Sequence, residues 1–160
     1  MRQKRSSRII TIGGMAAITL LVAVMAFLAL ENSNADSFAR AYGTLVTDSR
    51  SLTEQYQTEV GKWSDKQYDN ATMASITDDY LPRFQQLIDR ANGLQPTEKY
   101  KNTQDFLVRS LEYERQSYEH FRNFLITGDP AEDEKSTELL SQSLDYEDRS
   151  FAAFTEANSA

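Results

Sequence analysis

The sequence predicts an all-α protein: an N-terminal transmembrane helix followed by an up-down-up-down four-helix bundle. Three observations carry this expectation. Residues 9–30, IITIGGMAAITLLVAVMAFLAL, run without a single charged side chain. Beyond them, apolar residues recur at intervals of three and four, the period of a helix face and not of a strand. Gly93, Pro96, Gly128 and Pro130 fall between the periodic stretches, where helices end and chains turn, and Gly61 loosens the end of the first.

At about 1.5 Å per residue, a helix over 9–30 covers about 33 Å, close to a hydrocarbon core of roughly 30 Å. Lipid offers backbone groups no partner, so such a span must be helical. Arg2, Lys4, Arg5 and Arg8 precede it, and Glu31 and Asp36 are the first charges after it. Basic residues resist translocation. The expected arrangement is a basic cytoplasmic stub at 1–8, a signal anchor at 9–30 in the cell membrane, and an extracytoplasmic domain at 31–160. Cleavage after Ser33-Asn34-Ala35 is the competing expectation, but secretory apolar regions are shorter, about 7–15 residues. A pilin-type leader cut near Gly13 or Gly14, yielding a filament-forming subunit, is a further alternative. Its pattern is incomplete, since Ile9 to Ile12 separate the basic cluster from the glycines and no glutamate follows within the apolar run. Gly13 and Ala17 are spaced to let two such helices meet, which admits a homo-oligomer.

The outer part is acidic and aromatic. It holds 13 bases against 24 acids, a net of −11, which argues against a nucleic-acid partner. Sixteen of the 17 aromatic residues lie there, too many for a disordered stalk. There is no cysteine, so no disulfide can staple the fold and packing must suffice.

The first outer helix is expected from Asp36 to about Trp63, with Phe38, Tyr42, Leu45, Leu52, Tyr56, Val60 and Trp63 on one face and Ser49 as the polar exception. Ser64–Asn70 reads as a turn. The second runs from about Ala71 to Asn92 through Met73, Ile76, Tyr80, Phe84, Leu87 and Ala91, with a kink or break near Tyr80 because Pro82 lacks a donor. Gly93 is expected to close it in a left-handed conformation. The third, about Thr97 to Ile126, carries Tyr100, Leu107, Leu111, Tyr118, Phe121 and Leu125. Asp129-Pro130-Ala131-Glu132 then starts the fourth, with an acceptor at the cap, proline at the first helical position and glutamate three residues on. Its apolar face is read as Leu140, Leu144, Phe151 and Phe154. Four such helices with short links fold most simply as a bundle. The pattern resembles the periplasmic four-helix ectodomains of bacterial and archaeal receptors. It departs from them in showing no second span after the bundle, and no function is carried over.

Motifs that fix a chemistry are missing. His120 is the only histidine, which removes two-histidine metal, haem and di-iron arrangements. Beside Glu119 it reads as a partly exposed surface residue. The expectation is a binding or sensor-like module for a protein partner or small ligand, without enzymatic activity or cofactor. Asn70-Ala71-Thr72 is a glycosylation sequon in a predicted exposed turn; Asn70 capping the second helix is the competing role. Trp63 and Tyr68 border the distal loop as candidate partner contacts, or Trp63 closes the end of the core.

An internal echo is the most informative feature. Ser110-Leu111-Glu112-Tyr113-Glu114-Arg115-Gln116-Ser117-Tyr118 recurs as Ser143-Leu144-Asp145-Tyr146-Glu147-Asp148-Arg149-Ser150-Phe151. Glu114 and Glu147 fall where their apolar stripes have a gap, and a hairpin near Asp129 brings them to one level. Extending the topology adds Glu59 and Asp79, giving a candidate carboxylate layer for a cation, with Tyr113 and Tyr146 beside it and Arg83 close enough to neutralise one member. The competing reading has two packing helices of similar sequence whose glutamates reach out to water.

Overall fold

A computed structural model describes residues 37–159. The stub at 1–8, the apolar segment at 9–30 with its Gly13 and Ala17 spacing, and the cleavage positions before Asp36 lie outside the described residues. Among the described residues no helix is long and apolar enough to cross a membrane. They form four α-helices and no strand: α1 (Ser37–Ser64), α2 (Asn70–Asn92), α3 (Lys101–Thr127) and α4 (Pro130–Ser159), with a 3₁₀ turn at Glu98–Tyr100 before α3.

The helix ends follow from local chemistry. At the end of α1, Gln67 N donates to Lys62 O and Lys66 N to Trp63 O, both at 2.9 Å. That is a Schellman closure, and its left-handed position is filled by Lys66 at φ 62°. Asp69, and not Asn70, caps α2: its carboxylate accepts from Thr72 N at 2.8 Å. Gly93 is right-handed at φ −76°, against the left-handed expectation. Gln104 of α3 explains why, because its amide donates to Ala91 O at 2.8 Å and Leu94 O at 2.9 Å. The last-turn carbonyl of Ala91 is thus satisfied from the neighbouring helix, while Gly93 N donates to Asp89 O at 3.0 Å in ordinary helical fashion. Gly128 is left-handed at φ 69° and donates to Phe124 O. Asp129 accepts from Ala131 N at 3.0 Å as α4 begins at Pro130. The expected break at Pro82 does not occur, and α2 is continuous through it. Pro82 and Asp78, whose carbonyl loses its helical donor, are both exposed, so water can replace the missing bond.

Consecutive helices run antiparallel. Tyr56 meets Thr77 and Arg90 meets Asp48 between α1 and α2; Phe84 meets Tyr118 and Arg122 grips Asp78 between α2 and α3. Three aromatic groups mark levels along the core. At the base Phe38, Tyr42, Tyr100 and Phe154 stack, with centroids 4.6 Å apart for Tyr42–Phe154 and 4.7 Å for Phe38–Tyr100. Tyr56, Tyr80, Phe84 and Tyr118 fill the middle, and Trp63 meets Phe121 edge-on at 5.3 Å near the distal end. Pairs of this geometry contribute about 0.5–1.5 kcal/mol each beyond their burial.

The α3–α4 pair is built differently. Thr103, Ser110 and Ser117 repeat at seven-residue intervals on α3, and Ser136, Ser143 and Ser150 do so on α4. All six are buried. Ser150 donates to Thr103 O and Ser143 to Ser110 O, each at 2.9 Å, and Ser117 donates to Ser136 O at 2.8 Å. Small hydroxyl side chains thus bring the two backbones together, and a seven-residue repeat keeps them facing. This corrects the reading of α4. Its buried residues are Ser136, Leu139, Ser143, Ser150, Phe154 and Ala157, whereas Leu140, Leu144 and Phe151 are only half-buried.

Candidate functional site

Glu114 is the one carboxylate buried among the described residues, 7% exposed, on the same face of α3 as Leu107, Leu111, Tyr118 and Phe121. Two hydroxyls point at its Oε1. Thr53 of α1 donates at 2.7 Å, and Tyr118, one turn on along α3, donates at 2.8 Å. Gln57 of α1 in turn donates to the Tyr118 oxygen at 3.5 Å. No ion pair is formed by Glu114, although nine ion pairs decorate the described surface. Burial pushes its pKa up to about 7, partly offset by the two hydroxyl donors and reinforced by the charge of Glu147. Glu147, half-buried on α4, is also raised, first by burial and then by Asp148, with Arg50 of α1 pulling the other way. The Tyr118 hydroxyl is raised well above its usual value by burial and by Glu114.

The structure therefore brings together two of the four carboxylates in the expected layer and separates the others. Glu59 turns to Lys62 at 2.8 Å and Tyr68 at 2.8 Å, which lower its pKa. Asp79 is exposed. Among the described residues no three acidic or histidine side chains are placed to hold a metal ion. Arg83 does not neutralise the pair; it donates to Gln55 at 3.1 Å and lies over the Tyr80 ring. Tyr113 and Tyr146 stack on each other at 5.5 Å, with Arg109 and Arg149 over Tyr146.

At the distal end Trp63 is half-buried, and its indole N–H donates to Asn70 Oδ1 at 2.9 Å. Together with its packing on Phe121, that makes it a closure of the core end. Tyr68, also half-buried, is occupied by Glu59, and Lys62 lies over its ring at 5.9 Å. Asn70 is exposed in the first turn of α2 with its side-chain oxygen engaged by Trp63. His120 is partly exposed as expected, but its partner is across the helix pair: Nδ1 lies 2.7 Å from Glu132 Oε2. Glu132 is thereby drawn away from the cap it was expected to complete.

Sequence reasoning missed Thr53 and Tyr118 as the donors to Glu114. Threonine on a polar-apolar boundary carries no signal of its own. The serine ladder was missed too, although the echo repeats Ser110 and Ser117 as Ser143 and Ser150, because the echo was read for its glutamates. Chemically, the arrangement is a carboxyl that gains and loses a proton near neutrality at the junction of three helices. Compared with protein-family models, with curated proteins and with solved structures, the chain matches none of them.

Proposed function

We propose that the chain is a membrane-anchored binding or sensing ectodomain without enzymatic activity, with 1–8 in the cytoplasm, 9–30 as the anchor and 31–160 outside as a helical bundle. Support for the anchor comes from the 22 uncharged residues and the four bases before them. The observation that carries a sensing role is the seating of α1. Its first turn is part of the core, with Phe38 and Ala39 each 2% exposed and Phe38 stacked on Tyr100. The first described turn of α1 is thus fixed in the core, and a displacement of that turn must disturb the stack it belongs to. A transmembrane receptor needs such a joint. The cation-binding alternative retains only Glu114 and Glu147 of its four ligands, too few for a site of oxygen donors.

The test is topology together with processing. A reporter fused after Ala160 is expected to be active only outside the cytoplasm, and the full chain to resist carbonate extraction with its N-terminal segment intact by mass. Mature protein beginning near Asp36 would replace the anchor with a secreted bundle, and a reporter active in the cytoplasm would remove the reading altogether.

A further inference from the structure

Along α1 a polar contact to the buried carboxyl of α3 lies between two aromatic ones. Below it the Phe38 and Tyr42 rings stack on Tyr100 and Phe154, and above it Tyr56 packs on Tyr118 at 4.3 Å and Trp63 on Phe121. Between them Thr53 donates to Glu114 of α3. The groups facing Glu114 are Thr53 from α1, Tyr118 from its own helix and Glu147 from α4; α2 reaches this level through Phe84 against Tyr118. None of these supplies a positive charge. Arg50 of α1 acts on Glu147, opposed by Asp148. While α3 and α4 are locked by buried backbone-directed serines, α1 meets them through side chains alone.

We propose that Glu114 is a proton-operated latch on α1: protonated, it lets α1 seat on α3 and α4, and ionised, it draws in water and loosens that seam. A neutral carboxyl costs little to bury. An ionised one faces a second carboxylate and no cation; the Thr53 and Tyr118 hydroxyls offset only part of its burial, and water admitted by movement of α1 supplies the rest. Glu147 sets the point of release, since its negative charge favours the protonated form of Glu114. The stimulus that the bundle reads is then acidity. The latch belongs to the bundle itself and stands with or without an anchored N-terminal segment.

Trp63, the only tryptophan, reports on it directly because it belongs to α1 and touches α3. The purified full chain is titrated between about pH 5 and 8, following tryptophan emission and amide exchange along α1. One transition with a midpoint at about 7 is expected in both. Glu114→Gln should abolish it, and Glu147→Gln should move the midpoint to lower pH. Histidine also changes charge in this range, so His120→Asn must leave the transition in place. A flat response in the unaltered protein, a transition that survives Glu114→Gln, or one lost with His120→Asn would overturn the latch. Should Glu114→Gln fail to fold, the midpoint in Glu147→Gln decides, and an unmoved midpoint counts against the proposal.

Discussion

At the scale of single residues, backbone handedness separates three positions that the sequence does not tell apart. Lys66 holds the left-handed turn after α1 with a side chain that disfavours it, at a cost of roughly 1 kcal/mol. Lys66→Gly should therefore raise stability by about 1 kcal/mol, seen as a higher urea midpoint at unchanged slope. Gly93 is right-handed, and an added Cβ would meet only Asp89 O at 3.4 Å and Arg90 O at 3.5 Å. Gly93→Ala should stabilise by about 0.4–1 kcal/mol, whereas Gly128→Ala, at φ 69°, should destabilise by about 1 kcal/mol. Had Gly93 been left-handed as the sequence suggested, the two alanine variants would change stability in the same direction. Thr103 offers another test. Its hydroxyl is the one buried side-chain polar atom among the described residues without a partner. Thr103→Val keeps the shape and removes that orphan, so a gain of about 1 kcal/mol is expected in the same assay. Handedness and hydrogen-bond satisfaction depend on what a neighbouring helix brings, Gln104 in the case of Gly93, and that is why they were not readable from local sequence.

At the scale of elements, periodicity located all four helices, because an apolar stripe must be buried and each stripe was continuous enough to find. It misjudged the rotation of α4. Leu140, Leu144 and Phe151 looked like the buried face, but the closest neighbour of α4 is α3, and close approach selects small residues over large ones. Serine scores as polar in any apolar pattern, so Ser136, Ser143 and Ser150 were invisible as an interior. The ladder predicts an inverted size rule. Ser143→Ala removes a hydroxyl whose acceptor, Ser110 O, belongs to a helical residue, and should cost about 1 kcal/mol or less. Ser143→Leu, which adds apolar volume, should cost about 1–3 kcal/mol or more by forcing the helices apart. Thermal unfolding of the two variants side by side checks this, and a leucine variant as stable as the alanine one would show that the backbones are not held by the serines.

At the scale of the whole molecule, the buried carboxyl couples folding to acidity. Glu114 has a folded-state pKa of about 7 against an ordinary value of 4.5, so the folded chain binds its proton more tightly than the unfolded chain. Its stabilising effect is complete below about pH 4.5 and is lost as pH rises through about 7, on the order of 3 kcal/mol in total. Glu147 is shifted in the same direction and adds to the slope. Urea unfolding at a series of pH values should thus show stability falling from mildly acid to neutral conditions, with most of the slope gone in Glu114→Gln. A stability that is flat, or that rises with pH over this interval, would mean that water already reaches the carboxyl. The sequence marked Glu114 and Glu147 as gaps in two apolar stripes, and the bundle does bring them together. It gave no means of ranking them against Glu59 and Asp79, whose fate depends on whether lysine, tyrosine or water stands nearby.

The stack at the base also has an order in time. Tyr42 reaches Ser150 across 108 residues of chain, and its ring closes on Phe154. Synthesis supplies α1 first and these partners last, so Tyr42 must wait without them while α2, α3 and most of α4 are made. The α3–α4 hairpin, whose partners are near in sequence, can close much sooner. A nascent chain stalled before Ser150 should accordingly hold a formed hairpin core and an α1 that proteases still cut, and release past Phe154 should protect α1 in a single step.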